Sequence, residues 1–250
     1  MSKNLDIQRL GKGPAVVLLH SLLSDRGAFD RVKDELAKSF RLHLVDLPGY
    51  GRSGSNGEAS IEDYADRVAA ALPPEASILG NGFGGFIALA VAIRHGGKIS
   101  SLVLAPALSG FPPPAREPFR IMAGKVRENG MTAVLDAAIQ RMFPPAFIAA
   151  HADVVAERKA ALAKADPECF ARACLALSML DLKNDVSRIK NKTLVMVGEL
   201  DLATPAALAR ELAAGIPGAQ FRELPGCGHS PQLEQPESFV SVVTSFLERS

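Results

Sequence analysis

Four short segments hold residue types that could do chemistry together: His20-Ser21-Leu22-Leu23, Gly80-Asn81-Gly82-Phe83-Gly84, Gly198-Glu199-Leu200-Asp201 and Gly226-Cys227-Gly228-His229. Each lies at the end of a stretch that reads as a strand. In an open parallel sheet, the crevice beyond the C-terminal ends of the strands is where ligands bind. Between them the four segments offer a turn with exposed backbone amides, a carboxylate and an imidazole. The second segment says most. Ile78-Leu79-Gly80 runs into a crowd of glycines and emerges as the pattern Phe86-Ile87-Ala88-Leu89-Ala90, the composition of a sharp strand-to-helix turn. In a Gly-x-Ser-x-Gly nucleophile elbow the attacking serine stands third. Here the third position is Gly82, so the turn is present and the hydroxyl that would attack is not.

The elements that must hold these segments follow from periodicity. Ala15 to His20 is a continuous apolar run behind Gly11, Gly13 and Pro14, the pattern of a strand buried on both faces, which implies a largely parallel sheet. Phe29 to Phe40 carries apolar residues at Phe29, Val32, Leu36 and Phe40, predicting a helix, and Arg41 to Asp46 returns to strand. Ser60 with Asp63 three residues on predicts the cap of a helix over Ile61 to Leu72, stopped by Pro73-Pro74. Ser77 to Gly80 is a strand, Gly84 to His95 a helix and Ser101 to Ala105 a strand. From Phe111 to Asp185 the alternation stops. Only helical candidates occur there, near Ala115 to Arg127, Met131 to Met142, Ala146 to Ala165 and Pro167 to Leu180. Thr193 to Gly198 resumes the sheet, Thr204 reads as the cap of a helix over Pro205 to Ala214, Gln220 to Leu224 is the last strand, and Pro236 to Leu247 the last helix. The expected class is α/β, doubly wound, with residues 1–110 and 186–250 as the core and 111–185 as a helical lid over the strand ends.

Composition narrows the function classes. The 250 residues suffice for one large core plus a lid, and 48% hydrophobic with 22% charged residues is the profile of a globular domain. Twenty-eight basic against twenty-seven acidic residues leave a net charge of +1, which gives no electrostatic reason to expect a nucleic-acid or membrane partner. Met1 to Leu10 lacks the apolar core of a signal peptide, and the expected location is the cytoplasm. Cys169, Cys174 and Cys227 match no metal-ligand spacing, so neither a metal, a cofactor nor a disulfide framework is expected.

In this order and spacing the motifs resemble the α/β-hydrolase superfamily, in its group of small lidded esterases, enol-lactonases and carbon-carbon bond hydrolases. The matching residues are His20-Ser21, where the family usually has His-Gly, Asp46-Leu47-Pro48-Gly49-Tyr50-Gly51-Arg52-Ser53, the turn at Gly80 to Gly85, Gly198-Glu199-Leu200-Asp201, and Gly228-His229-Ser230-Pro231 followed by Leu233-Glu234-Gln235-Pro236. The resemblance implies that His229 is a general base, that Asp201 orients it, and that the backbone amides of Phe83 and Leu22 form an oxyanion hole. The partner it implies is a small-molecule substrate.

Gly82 departs from the family pattern. Glycine has nothing for His229 to deprotonate, so an acyl-enzyme on residue 82 is impossible, while backbone oxyanion donors do not depend on the missing side chain. Three readings stay open: a hydrolase of a small ester, lactone or ketone-bearing substrate cleaved at a carbon-carbon bond, in which His229 and Asp201 activate water or a substrate proton, a noncatalytic binder of a small ligand, and an ordinary serine esterase inactivated at position 82. Asn81, Ser21 and Ser109 are nearby polar groups, none at the elbow position. His20, His43, His95 and His151 read as packed or surface residues, Asp201 could alternatively be a turn residue, and Asp46 to Ser53 reads as a structural turn.

Overall fold

The computed structural model describes residues 5–248, so the first four residues of the polar N-terminal stretch and the last two of the chain lie outside the described residues. Seven strands, β1 Ile7–Leu10, β2 Ala15–Leu19, β3 Arg41–Val45, β4 Ala76–Gly80, β5 Ile99–Leu104, β6 Lys192–Gly198 and β7 Gln220–Leu224, form one sheet in the order β1-β3-β2-β4-β5-β6-β7. β1 runs antiparallel to β3, and every other pairing is parallel. This is the α/β-hydrolase fold, a mostly parallel sheet flanked by helices.

Before β5 lie α1 Lys33–Leu36, α2 Ile61–Ala71 and α3 Phe83–His95. Between β5 and β6 come α4 Pro113–Asn129, α5 Leu135–Met142, α6 Pro145–Ala150, α7 Ala152–Leu162 and α8 Pro167–Ser178, and after β6 come α9 Ala206–Gly215, α10 Pro231–Glu234 and α11 Pro236–Leu247. Successive strand residues point to opposite faces. Val17, Leu19, Ile78, Leu102 and Val195 therefore pack with Val68 of α2, with α3 and with Leu212 of α9, while Val16, Leu18, Leu79, Val103 and Leu194 pack with Leu36, Phe239 and Val243 on the other face. β2 and β4 are buried at every residue, and accordingly β2 reads as an unbroken apolar run and β4 as one interrupted only by Ser77.

Two local expectations need correction, and one strand was not expected. The helix expected over Phe29 to Phe40 is a 3-10 turn, Arg26–Phe29, followed by the single turn of α1. Its four apolar residues are buried as their spacing implied, but the Asp25 side chain caps the tighter turn through Gly27 N. Thr204 does not cap α9, whose N-cap is Pro205, because its hydroxyl is bonded to Asp201. β1 went unrecognised since an exposed edge strand of four residues carries no apolar run. The Ser60 and Asp63 capping box is present as expected.

Candidate active site

The turn after β4 is held by backbone bonds on three sides. Asn81 N donates to Leu19 O at 2.9 Å, Gly82 N to Pro106 O at 3.0 Å and Gly84 N to His20 O at 3.0 Å. Gly82 sits at φ 52° and ψ −114°, a left-handed conformation that side-chain-bearing residues rarely adopt. Gly84 is required for a different reason: a Cβ there would lie 2.3 Å from Leu19 O, so only glycine lets α3 start this close to β2. The amide of Phe83 stands at the first turn of α3, where intrahelical partners are lacking. Phe83 and Leu22 line one cavity, and among the described residues neither backbone N–H has a hydrogen-bond partner.

Across that cavity stands His229. Its Nδ1 lies 2.9 Å from Asp201 Oδ2 and 3.2 Å from the Thr204 hydroxyl. Asp201 accepts three further bonds, from Ala203 N at 2.8 Å, Thr204 N at 2.9 Å and the Thr204 hydroxyl. Burial alone would push its carboxyl up, but the His229 ring and the Thr204 bonds outweigh it and hold the pKa below the ordinary aspartate value. The Nδ1–H of His229 is therefore committed to a carboxylate, and Nε2 is left for the cavity.

The loops that bring the pair together are laced to each other. Leu200 N donates to Cys227 O at 2.8 Å, Glu199 N to Leu224 O at 3.0 Å and Gly226 N to Glu199 Oε2 at 2.8 Å. Glu234 grips both sides of the histidine, accepting from Gly228 N at 2.7 Å and Ser230 N at 2.9 Å. Burial raises the Glu234 pKa against those bonds. Asn81 Nδ2 donates to His229 O at 3.1 Å and to Ala105 O at 2.5 Å, so Asn81 braces the imidazole's backbone and is not a free polar group.

His20 is occupied at both nitrogens. Nδ1 donates to Ser21 O at 2.8 Å, and Nε2 accepts from Leu47 N at 3.0 Å. Burial lowers its pKa, in keeping with a neutral ring that ties the loop after β2 to the end of β3. Asp46 is likewise spent on structure, accepting from Arg26 N at 3.2 Å and Arg52 N at 3.0 Å. Ser21 lines the cavity together with Gly82 and His229, whereas Ser109 is not among the residues lining it.

The cavity, about 40 Å³, is otherwise apolar, with Leu23, Phe86, Phe111, Phe119, Met122, Met142 and Leu177 on its walls. One cation joins them. Arg141 of α5 is half-buried, its guanidinium 5.6 Å from the centre of the Phe119 ring, and no described carboxylate lies within ion-pairing distance. Burial lowers its pKa while Asp201 pulls the other way. Arg141 and the Thr204 contacts were missed from sequence. The only trace of the former is a lone arginine beside Ile139 and Met142, two buried residues of one short helix. Among the described residues no group of three or more His, Cys, Asp or Glu is placed to hold a metal ion, and no helix is long and apolar enough to cross a membrane.

With this geometry in view, comparison with known proteins is decisive on kinship. The model of the alpha/beta hydrolase family matches residues 16–242. The chain belongs to the alpha/beta hydrolase family. Among relatives of this family member, the pimeloyl-[acyl-carrier protein] methyl ester esterase of Chromobacterium violaceum is 32% identical over 253 residues, covering 98% of both chains. The enzyme of the same name from Vibrio vulnificus is 29% identical, covering 98% of this chain and 99% of its own. Among solved structures, a thermophilic esterase from Thermogutta terrifontis superposes with a TM-score of 0.90 at 28% identity, over 98% of this chain and 93% of that one. The enol-lactonase from Burkholderia xenovorans does so with a TM-score of 0.89 at 29% identity, over 98% and 96%.

Proposed function

We propose that this chain hydrolyses a small ester or lactone, with His229 as general base, Asp201 orienting it and the Phe83 and Leu22 amides binding the developing oxyanion. The observation that carries this reading is that an imidazole with a committed Nδ1 and two residues whose amides have no partner among the described residues line one cavity. Donors fixed before the reaction stabilise an oxyanion without reorganising, and one such donor contributes about 10²–10³ in turnover. His229 Nε2 takes the proton from whichever oxygen attacks and returns it to the leaving alkoxide. Residue 82 supplies no such oxygen, so in the simplest form water does. The likeness to methyl ester esterases and an enol-lactonase supports ester chemistry over amide chemistry.

Arg141 refines the substrate class. A guanidinium with no ion-pair partner among the described residues, on the lining of an apolar cavity, favours a ligand that carries a carboxylate besides the reacting carbonyl. Residues 111–185 act as the lid of the sheet core formed by 1–110 and 186–250, contributing Phe111, Phe119, Met122, Arg141, Met142 and Leu177 to the pocket. The test is a panel of small esters, lactones and dicarboxylate monomethyl esters assayed with wild type and His229→Ala. Turnover abolished by the substitution supports the reading. Ligand binding in a thermal-shift screen with no product from either protein would replace it with a noncatalytic binding protein.

A further inference from the structure

We infer that Ser21 Oγ is the attacking oxygen of this site, standing in for the side chain that residue 82 lacks. The inference rests on the hydrolase reading above and adds a covalent step to it. A Cβ placed on Gly82 would lie 2.4 Å from Ser21 Oγ, 3.1 Å from Ser21 Cβ and 2.8 Å from His229 Nε2. The serine hydroxyl and the base thus both lie within 2.8 Å of one point, and that point is where an elbow side chain would begin. Ser21 is buried against the cavity, and among the described residues its hydroxyl has no hydrogen-bond partner. A small rotation about its Cα–Cβ bond has no bond to break. The backbone relation is also the required one. In an elbow, the residue after the nucleophile donates an oxyanion N–H, and Leu22, which lines the cavity and whose N–H has no partner among the described residues, is the residue after Ser21. His20 clamps the turn by its bond to Ser21 O, so the serine is held from the loop after β2 and not from the turn after β4.

The chemistry balances without a further reactant. His229 Nε2 accepts the Ser21 hydroxyl proton as Oγ bonds to the substrate carbonyl carbon. The carbon to alkoxide bond then breaks, and the alkoxide leaves with the proton from His229. Water attacks the acyl-Ser21 ester, giving its proton to His229, and Oγ departs by taking that proton back. The net reaction is ester plus water to acid plus alcohol.

The test is covalent labelling of the full chain with a fluorophosphonate, read by intact mass and peptide mapping, alongside hydrolysis by wild type, Ser21→Ala and His229→Ala. One phosphonyl group on Ser21 is expected, with kcat lower by about 10³-fold or more in Ser21→Ala and an unchanged thermal midpoint showing that the variant folds. The paired exchange Ser21→Gly with Gly82→Ser should move the label to position 82. Hydrolysis by wild type without a label on Ser21, or full activity in Ser21→Ala beside an inactive His229→Ala, overturns the inference and leaves His229 acting on water. A labelled Ser21 with no hydrolysis of any ester keeps the nucleophile and overturns the hydrolase reading, and neither label nor hydrolysis overturns both.

Discussion

The loop after β2 and the loop after β7 both contribute residues to the cavity and each carries a buried histidine, but only His229 lines the cavity, and the two rings are used in opposite ways. His20 has a partner at both ring nitrogens, Ser21 O and Leu47 N, so it can neither take nor give a proton without breaking the turn. His229 has its Nδ1 on Asp201 and its other nitrogen toward the cavity. Burial does not separate them, since both are nearly inaccessible. The difference is one uncommitted nitrogen, and it divides the site into the proposed base on one side and, on the other, a scaffold for the serine and the amide proposed to bind the oxyanion.

The largest effect expected from this contrast is in His229→Ala, where ester hydrolysis should fall to background, about 10⁴-fold or more, while the melting temperature changes little. Asp201→Asn should come next, at about 10³-fold in kcat, because an amide in that position can hold the ring in the wrong tautomer. Arg141→Met should leave kcat nearly unchanged and raise KM about tenfold for carboxylate-bearing esters only, the loss of one charge-assisted contact. Equal effects on neutral and anionic esters would remove the proposed role of Arg141. His20→Ala should act mainly on stability, by roughly 2–4 kcal/mol, since it strands a buried carbonyl and a buried amide. A His20→Ala protein of wild-type stability and no activity would erase the contrast between the two loops.

A pH series sharpens the same point. Asp201 has a folded-state pKa below its ordinary value of about 3.9. Its contribution to stability is therefore present above that ordinary value and is lost as pH falls through the depressed native value, where the unfolded chain already binds the proton. Urea unfolding of wild type and Asp201→Asn across this window should show a stability gap that closes toward low pH. A gap constant with pH would mean that the carboxylate charge is not what holds the His229 loop.

Much of the fold was legible because it rests on short-range signals. Buried strands announce themselves as apolar runs, the capping box at Ser60 and Asp63 as a spacing, and the turn at Gly80 to Gly85 as a density of glycine that only close backbone approach demands. What was illegible depends on contacts far apart in the chain. Nothing near Asn81 says that it will brace residue 229, nor does the surrounding of Arg141 say that its guanidinium will end on a cavity wall beside Phe119. Thr204 looked like a helix cap because the local pattern allows it, and a carboxylate three residues back took the hydroxyl instead.

The sequence by itself determined the architecture, the kinship, the candidate base and acid, and the absence of a hydroxyl at residue 82, since each is a matter of residue type and spacing. Only the tertiary structure decided what stands beside that gap. Ser21 is sixty-one positions from Gly82 along the chain, but β2 and β4 are hydrogen-bonded neighbours in a parallel sheet, so the loops at their C-terminal ends meet at one point with the loop that carries His229.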